Sequence, residues 1–281
     1  MIIGDKAAIV CCSNAQPYSN EKIINNLNKK LKEIGLIPVF SNYIYSENSF
    51  FSGTAEQRAE VLMDFYKDKE IKAIFDISGG DIANEILPYL NFDVIAKSDK
   101  MFWGYSDLTT IINAIYSKTG KKSVLYQVKN LVYENSDMQT QNFCKTVFDK
   151  KDNLYSFDYK FIQDEHLSGT VIGGNIRCLL KLAGTEYWPD MNNKVLLLEA
   201  FGGNIPKMTT YLNQLKQISV FERINGIILG TFTEMERENC NPSIVDLVKR
   251  YAGNNIPIVK TNEIGHSSNS KAVIIGEVIN L

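Results

Sequence analysis

The chain has 281 residues, 44% of them hydrophobic, and a formal net charge of -2. At roughly 100–200 residues per domain, that length suits one large domain or two modest ones. The mixed charges leave no basic stripe to neutralise phosphates, so nucleic acid is excluded as the expected partner.

The N-terminus, Met1-Ile2-Ile3-Gly4-Asp5-Lys6, lacks a basic region followed by an apolar run. No window approaches the ~20 apolar residues of a membrane helix, so a cytoplasmic protein without a membrane partner is expected. The five cysteines Cys11, Cys12, Cys144, Cys178 and Cys240 show no metal-ligand spacing and read as free thiols.

Ala7–Cys12 reads as a buried strand. A helix over Asn20–Ile34 follows, with Ile23, Ile24, Leu27 and Leu31 near helical spacing and Gly35 as its stop. Ile37–Phe40 is the next strand, and Thr54-Ala55-Glu56-Gln57 has the capping-box pattern of a helix running to about Lys67. Ala73–Ile77 is a strand ending in Ser78-Gly79-Gly80. After a short helix, Met101–Trp103 is another strand, and Asp107–Lys118 is a helix stopped near Gly120. This alternation predicts a parallel sheet covered by helices on both faces.

From Lys150 to Ser168 the sequence turns polar and aromatic, and reads as a linker with strand pairs. The expected organisation is an N-terminal domain over 1–150, a linker over 151–168 and a C-terminal α/β domain over 169–281. In the latter, Thr170–Ile172 leads into Gly173-Gly174-Asn175 and a helix over Ile176–Leu182. Val195–Leu198 and Gly226–Leu229 read as strands, and Ile205–Gln217 as a helix. Another helix starts near Pro242 with Asn241 as its cap, and Ala272–Ile275 is a final strand.

Chemistry is constrained by the presence of only two histidines, His166 and His266. They are far apart and no His-x-x-x-His occurs, which argues against a zinc site. His166 sits in the polar linker and reads as a solvated loop residue. His266 stands in Gly265-His266-Ser267-Ser268, where small neighbours suit a side chain presented to a cleft.

Gly104-Tyr105-Ser106-Asp107 joins a strand to a helix and resembles a nucleophile elbow, although the second glycine is missing. The plainer alternative is that Ser106 or Asp107 caps the helix. Ser78-Gly79-Gly80-Asp81 lets the backbone approach a ligand or simply makes a tight turn. Glu199 follows four apolar strand residues, where a carboxylate is costly unless paired. A structural ion pair is its alternative role.

Taken together, Ile77-Ser78-Gly79-Gly80, Gly104-Tyr105-Ser106-Asp107-Leu108-Thr109, Ile172-Gly173-Gly174-Asn175 with Leu197-Leu198-Glu199, and Gly265-His266 resemble the LD-carboxypeptidase family, which includes the microcin C resistance peptidases. The resemblance runs from about Gly4 to Gly276. It implies a Rossmann-like N-terminal domain, a smaller α/β C-terminal domain and a cleft between them. It implies a Ser-Glu-His arrangement of Ser106, Glu199 and His266, with the N–H groups of Gly80 and Asp107 holding the oxyanion. It also implies a homodimer with no metal or other cofactor, acting on a murein tetrapeptide at the bond before its terminal D-alanine.

Two places depart from the family pattern. Leu125-Tyr126-Gln127 replaces a His-Gly-Pro-like turn, and Cys11-Cys12-Ser13-Asn14 replaces a Pro-Ser pair. The alternative substrate is a peptidyl or aminoacyl nucleotide, with Trp188 or Trp103 stacking on the base. Two further alternatives are a non-catalytic two-domain binding protein and cysteine chemistry at Cys12.

Overall fold

The computed structural model describes residues 1–47 and 49–281. Lys6–Val10 forms β1, and four of its five residues are buried. A run with no polar face belongs in the middle of a sheet covered on both sides. Helix α1 (Glu21–Glu33) packs Ile24, Leu27 and Leu31 inward, and β2 (Ile37–Phe40) follows. Helix α2 (Ala55–Lys67) starts at the predicted capping box, with Thr54 and Gln57 bonding reciprocally.

Strand β3 (Ile71–Asp76) precedes a tight helical turn over Ala83–Tyr89 and α3 (Phe92–Lys97). Next come β4 (Met101–Gly104), α4 (Thr109–Thr119), β5 (Ser123–Leu125) and α5 (Ser136–Val147). Strands β2, β1, β3, β4 and β5 lie side by side in that order, every pair parallel. The sequence pattern did not reveal α5. Two of its four buried residues are Gln139 and Thr146, so its apolar stripe is broken.

The second half contains β6 (Lys160–Gln163), β7 (Ser168–Asn175), α6 (Ile176–Leu180), β8 (Lys194–Ala200), α7 (Ile205–Gln217), β9 (Gly226–Phe232), α8 (Thr233–Arg237), α9 (Ile244–Ala252) and β10 (Ile258–Lys260). Its parallel core β7-β8-β9-β10 has antiparallel strands at both edges, β12 (Val278–Asn280) beside β7 and β6 beside β10.

Three expectations change. The linker carries a single described strand, β6, and it pairs with β10 rather than with a neighbour in the linker. The final predicted strand, β11 (Val273–Ile275), crosses back and joins β5 of the first sheet. Helix α9 is capped by Ser243 rather than Asn241. The Ser243 hydroxyl accepts from the Asp246 N–H while the Asp246 carboxylate accepts from the Ser243 N–H, and Pro242 lies outside the helix.

Helix α4 lies between the two sheets. Its Ile111, Ile112 and Ile115 belong to one apolar cluster that also contains Ile74 and Phe102 from the first sheet and Val171, Val195, Leu197 and Ile228 from the second. Asn113 on α4 bonds both ways with the β7 backbone, donating to Gly173 O (2.9 Å) and accepting from Gly173 N (2.8 Å). The sheets therefore share a continuous core, and the carboxyl ends of β4 and β8 face one cleft. That is where parallel α/β sheets bind ligands.

Candidate active site

Ser106 follows β4 and Tyr105 and opens the tight turn that leads into α4. Its φ of 57° lies in the left-handed region, which costs a non-glycine residue about 1–3 kcal/mol and is found where a side chain must be presented. Gly104 makes the sharp bend possible. A Cβ there would lie 2.7 Å from Leu108 Cβ.

His266 comes from the loop between β10 and β11. Its Nε2 lies 3.1 Å from Ser106 Oγ, and its Nδ1 lies 2.7 Å from Glu199 Oε2. The imidazole is held between the Tyr105 ring, edge-on at 4.9 Å, and the Phe201 ring at 5.1 Å. Its loop is tied down by Ser270 Oγ donating to Gly265 O and by Thr231 N donating to Ile264 O. Asn135, just before α5, donates to Ser268 Oγ, and Gln139 on α5 donates to Ser270 O. An element of the first sheet's half thus fixes a loop of the second.

Glu199 lies within β8 rather than just beyond it, and it is fully buried. Its carboxylate and His266 Nδ1 are close but not aligned as a linear hydrogen bond, so their contact is chiefly electrostatic. Burial, then the Glu199 charge, pushes the Tyr105 phenol well above the usual tyrosine value.

The peptide at Gly80 is held by Asn14, in the loop that follows β1. Asn14 N donates to Gly79 O (3.1 Å), and Asn14 Oδ1 accepts from Asp81 N (2.9 Å). In a trans peptide the Gly80 N–H then points opposite to the Gly79 carbonyl. Gly80 has φ of 115°, and a Cβ would fall 2.2 Å from Asn14 Cγ, so only glycine fits. The N–H groups of Gly80 and Asp107 meet no acceptor among the described residues.

Two cations of α6 and its C-cap, missed in the sequence reading, hold this loop. Arg177 donates to Gly80 O (2.9 Å) and pairs with Asp81. Lys181 donates to Asp81 O (2.6 Å) and pairs with the buried Asp107 carboxylate. Asp107 also accepts from Ser13 Oγ (2.6 Å) and Ala83 N (2.9 Å). The available signal was two basic residues four apart in an otherwise apolar helix directly after Gly-Gly-Asn.

Two cavities meet at Ser106 and His266. The smaller, of about 240 Å³, includes Ser78, Gln127, Lys129 and Tyr133 in its wall. The larger, of about 460 Å³, includes Asn175, Arg177, Phe201, Lys207 and Glu234. Trp103 and Trp188 line neither. Trp103 is buried against Phe75, Tyr126 and Phe143, and Trp188 packs into the cores, so neither offers the base-stacking surface expected of it.

Cys12 is buried, and burial followed by the Asp76 charge pushes its thiol well above the usual range, contrary to the cysteine alternative. Exposed His166 lies 3.1 Å from the Leu281 carbonyl through its Nδ1 and lines neither cavity. Among the described residues no three His, Cys, Asp or Glu side chains gather as a metal site, and no helix is long and apolar enough to cross a membrane.

The family model described as the LD-carboxypeptidase N-terminal domain matches residues 7–126, and that of the C-terminal domain matches residues 168–281. A Bacillus subtilis relative named "Probable murein peptide carboxypeptidase" is 27% identical over 261 residues, covering 88% of this chain and 80% of its own. The structure of MccF in complex with glutamyl sulfamoyl guanosine superposes with a TM-score of 0.89 at 22% identity, over 100% of this chain and 93% of that one. A muramoyltetrapeptide carboxypeptidase from Oxalobacter formigenes superposes with a TM-score of 0.82 at 21% identity, over 98% and 94% of the two chains.

Proposed function

The chain belongs to the LD-carboxypeptidase family of peptidases, and we propose that it is a metal-independent serine carboxypeptidase that releases the terminal D-alanine of murein tetrapeptides. The carrying observation is the 3.1 Å approach of His266 Nε2 to Ser106 Oγ, with Glu199 2.7 Å from the other ring nitrogen.

In the proposed mechanism His266 carries its proton on Nδ1, facing Glu199, and Nε2 is the acceptor. Ser106 attacks the scissile carbonyl as Nε2 takes its proton. Buried Glu199 favours the imidazolium that forms, because a paired charge is far cheaper there than a lone one. The N–H groups of Gly80 and Asp107 receive the oxyanion. His266 then protonates the leaving amine, and water hydrolyses the acyl-enzyme.

A second reading, hydrolysis of a peptidyl or aminoacyl nucleotide, draws support from Phe201. This ring is 60% exposed at the larger cavity, where it offers a stacking face to a base. By family resemblance the protein works in the cytoplasm as a homodimer, an assembly that light scattering measures.

The test is purified protein with a murein tetrapeptide, with and without EDTA, reading D-alanine by mass spectrometry. Release that survives EDTA and vanishes in Ser106→Ala is expected. Full turnover by that variant would remove Ser106 from its role. No release from the folded wild type would move the substrate to aminoacyl nucleotides.

A further inference from the structure

Lys129 sits in the tight turn over Val128–Val132, two residues after the Leu125-Tyr126-Gln127 segment that departs from the family pattern, and it lines the smaller cavity beside Ser106 and His266. It is half-buried, and its Nζ donates to one neutral acceptor, Gln16 Oε1, at 3.3 Å. By contrast Lys118, Lys122, Lys181 and Lys260 each pair with a carboxylate, whereas no carboxylate lies within ion-pair distance of Lys129 among the described residues.

The acidic groups that act on it are the buried Cys11 thiol and the Asp76 carboxylate. Asp76 is already committed, accepting from Cys12 N, Ser78 N and Ser78 Oγ. Burial pushes the Lys129 ammonium below its usual value, as expected of a cation short of counter-charge. Such a group is costly to keep in a protein wall unless a ligand supplies the missing anion.

The two cavities differ in charge and size. The larger carries both signs, from Arg177, Lys207, Asp81 and Glu234. In the smaller, Lys129 is the sole Lys, Arg, Asp or Glu of the wall among the described residues. A small lobe with one cation suits the anion of a leaving group, and for a murein peptide the acyl part then takes the larger lobe.

We propose that Lys129 is the specificity residue for the leaving group, the counter-charge for its anion. This rests on the carboxypeptidase reading above. Two leaving groups share the chemistry, the α-carboxylate of a terminal D-alanine and the phosphate of a nucleotide.

The kinetic arm compares a murein tetrapeptide ending in a free carboxylate with the same peptide ending in a carboxamide. For the wild type, kcat/KM should favour the acid by about 30-fold, the range of one charge-assisted hydrogen bond. Lys129→Gln should erase that preference by lowering the acid alone, and Lys129→Arg should restore part of it. Equal loss on both peptides by Lys129→Gln would mark a structural role and overturn the proposal.

The binding arm needs no turnover. Ser106→Ala protein, with and without Lys129→Gln, is titrated calorimetrically with D-alanine, D-alaninamide and AMP. Binding of D-alanine but not its amide, lost with Lys129→Gln, supports the site with the carboxylate as its anion. Lys129-dependent binding of AMP alone supports the site with a phosphate instead. Lys129-dependent binding without peptide turnover sinks the murein reading and keeps the anion site. Failure to distinguish acid from amide, with no Lys129-dependent binding of AMP, overturns the anion site itself.

Discussion

Glu199 Oε2 lies 2.7 Å from His266 Nδ1, and the carboxylate is completely shielded from solvent. Glu199→Gln tests what this relationship does. The amide keeps the shape but removes the charge, and its NH₂ facing Nδ1 would force the proton to Nε2, the tautomer that cannot accept from Ser106. We expect kcat to fall about 10³–10⁴-fold with the melting temperature nearly unchanged, by analogy with such changes in other hydrolases. A variant retaining more than a tenth of wild-type kcat would show that Glu199 serves only the fold.

The Tyr105 ring packs in a T-shaped pair with His266, while its hydroxyl is buried near Glu199. Because burial and that charge hold the phenol protonated, it does not titrate in any useful assay range. Tyr105→Phe should therefore leave the shape of the kcat/KM pH profile unchanged. Tyr105→Ala removes the packing and should cost about 3 kcal/mol in chemical denaturation, the scale of a large-to-small core change. A shifted pH profile in the Phe variant would assign the hydroxyl a part in proton transfer.

How much of this was legible in the sequence depends on the range of the signal. Helix α2 announced itself through Thr54 and Gln57, and α1 through the spacing of Ile23, Ile24, Leu27 and Leu31, because both signals are local. The return of β11 to the first sheet had no such signal, since Val273–Ile275 fits either sheet by composition. In the site, Ser106 and His266 were visible as unusual residues in glycine-rich surroundings. Their 3.1 Å approach joins positions 160 residues apart and exists only in the fold. Arg177 and Lys181 stayed hidden because solvated basic residues on a helix look the same in sequence.

Cysteine chemistry makes a contrary prediction. Cys12 is buried and its thiol is pushed up, so little thiolate forms near neutral pH. Folded protein treated with iodoacetamide should keep its full peptidase activity, and Cys12→Ala should lose stability but not the catalytic step. Complete inactivation traced to a Cys12 adduct would revive that alternative.

The start of α9 offers a test on stability alone. Ser243→Ala should lower unfolding free energy by about 1 kcal/mol, the usual worth of such a cap, and Asn241→Ala should be near neutral. Hydrogen bonds to the Ser243 hydroxyl and N–H hold the Asp246 carboxyl below its ordinary value. A depressed folded pKa contributes stability above the unfolded value and loses it as pH falls through the folded one. The difference between wild type and Asp246→Asn should therefore shrink as urea titrations are moved from neutral pH to below about pH 3, through the carboxylate range.

Lys181 and Arg177 reach from the second half of the chain to the two turns that carry the proposed oxyanion donors, Gly80 and Asp107. Lys181 pairs with an Asp107 carboxylate that is fully buried, while the Arg177–Asp81 pair is largely exposed. Removing one partner of a buried pair strands the other, so Lys181→Met should cost about 3–5 kcal/mol of stability, whereas exposed Arg177→Gln should cost about 1 or less. Both loosen the Gly80–Ile82 backbone, Arg177 through the Gly80 carbonyl and Lys181 through the Asp81 carbonyl, and misplaced donors matter most when charge develops. In Arg177→Gln, where folding is spared, kcat should fall about tenfold or more with little change in KM, since one displaced oxyanion donor carries that scale of effect. Conservative Arg177→Lys keeps a donor for the Gly80 carbonyl and should recover part of the loss. A rise in KM at constant kcat would instead make Arg177 a substrate-binding residue of the larger cavity.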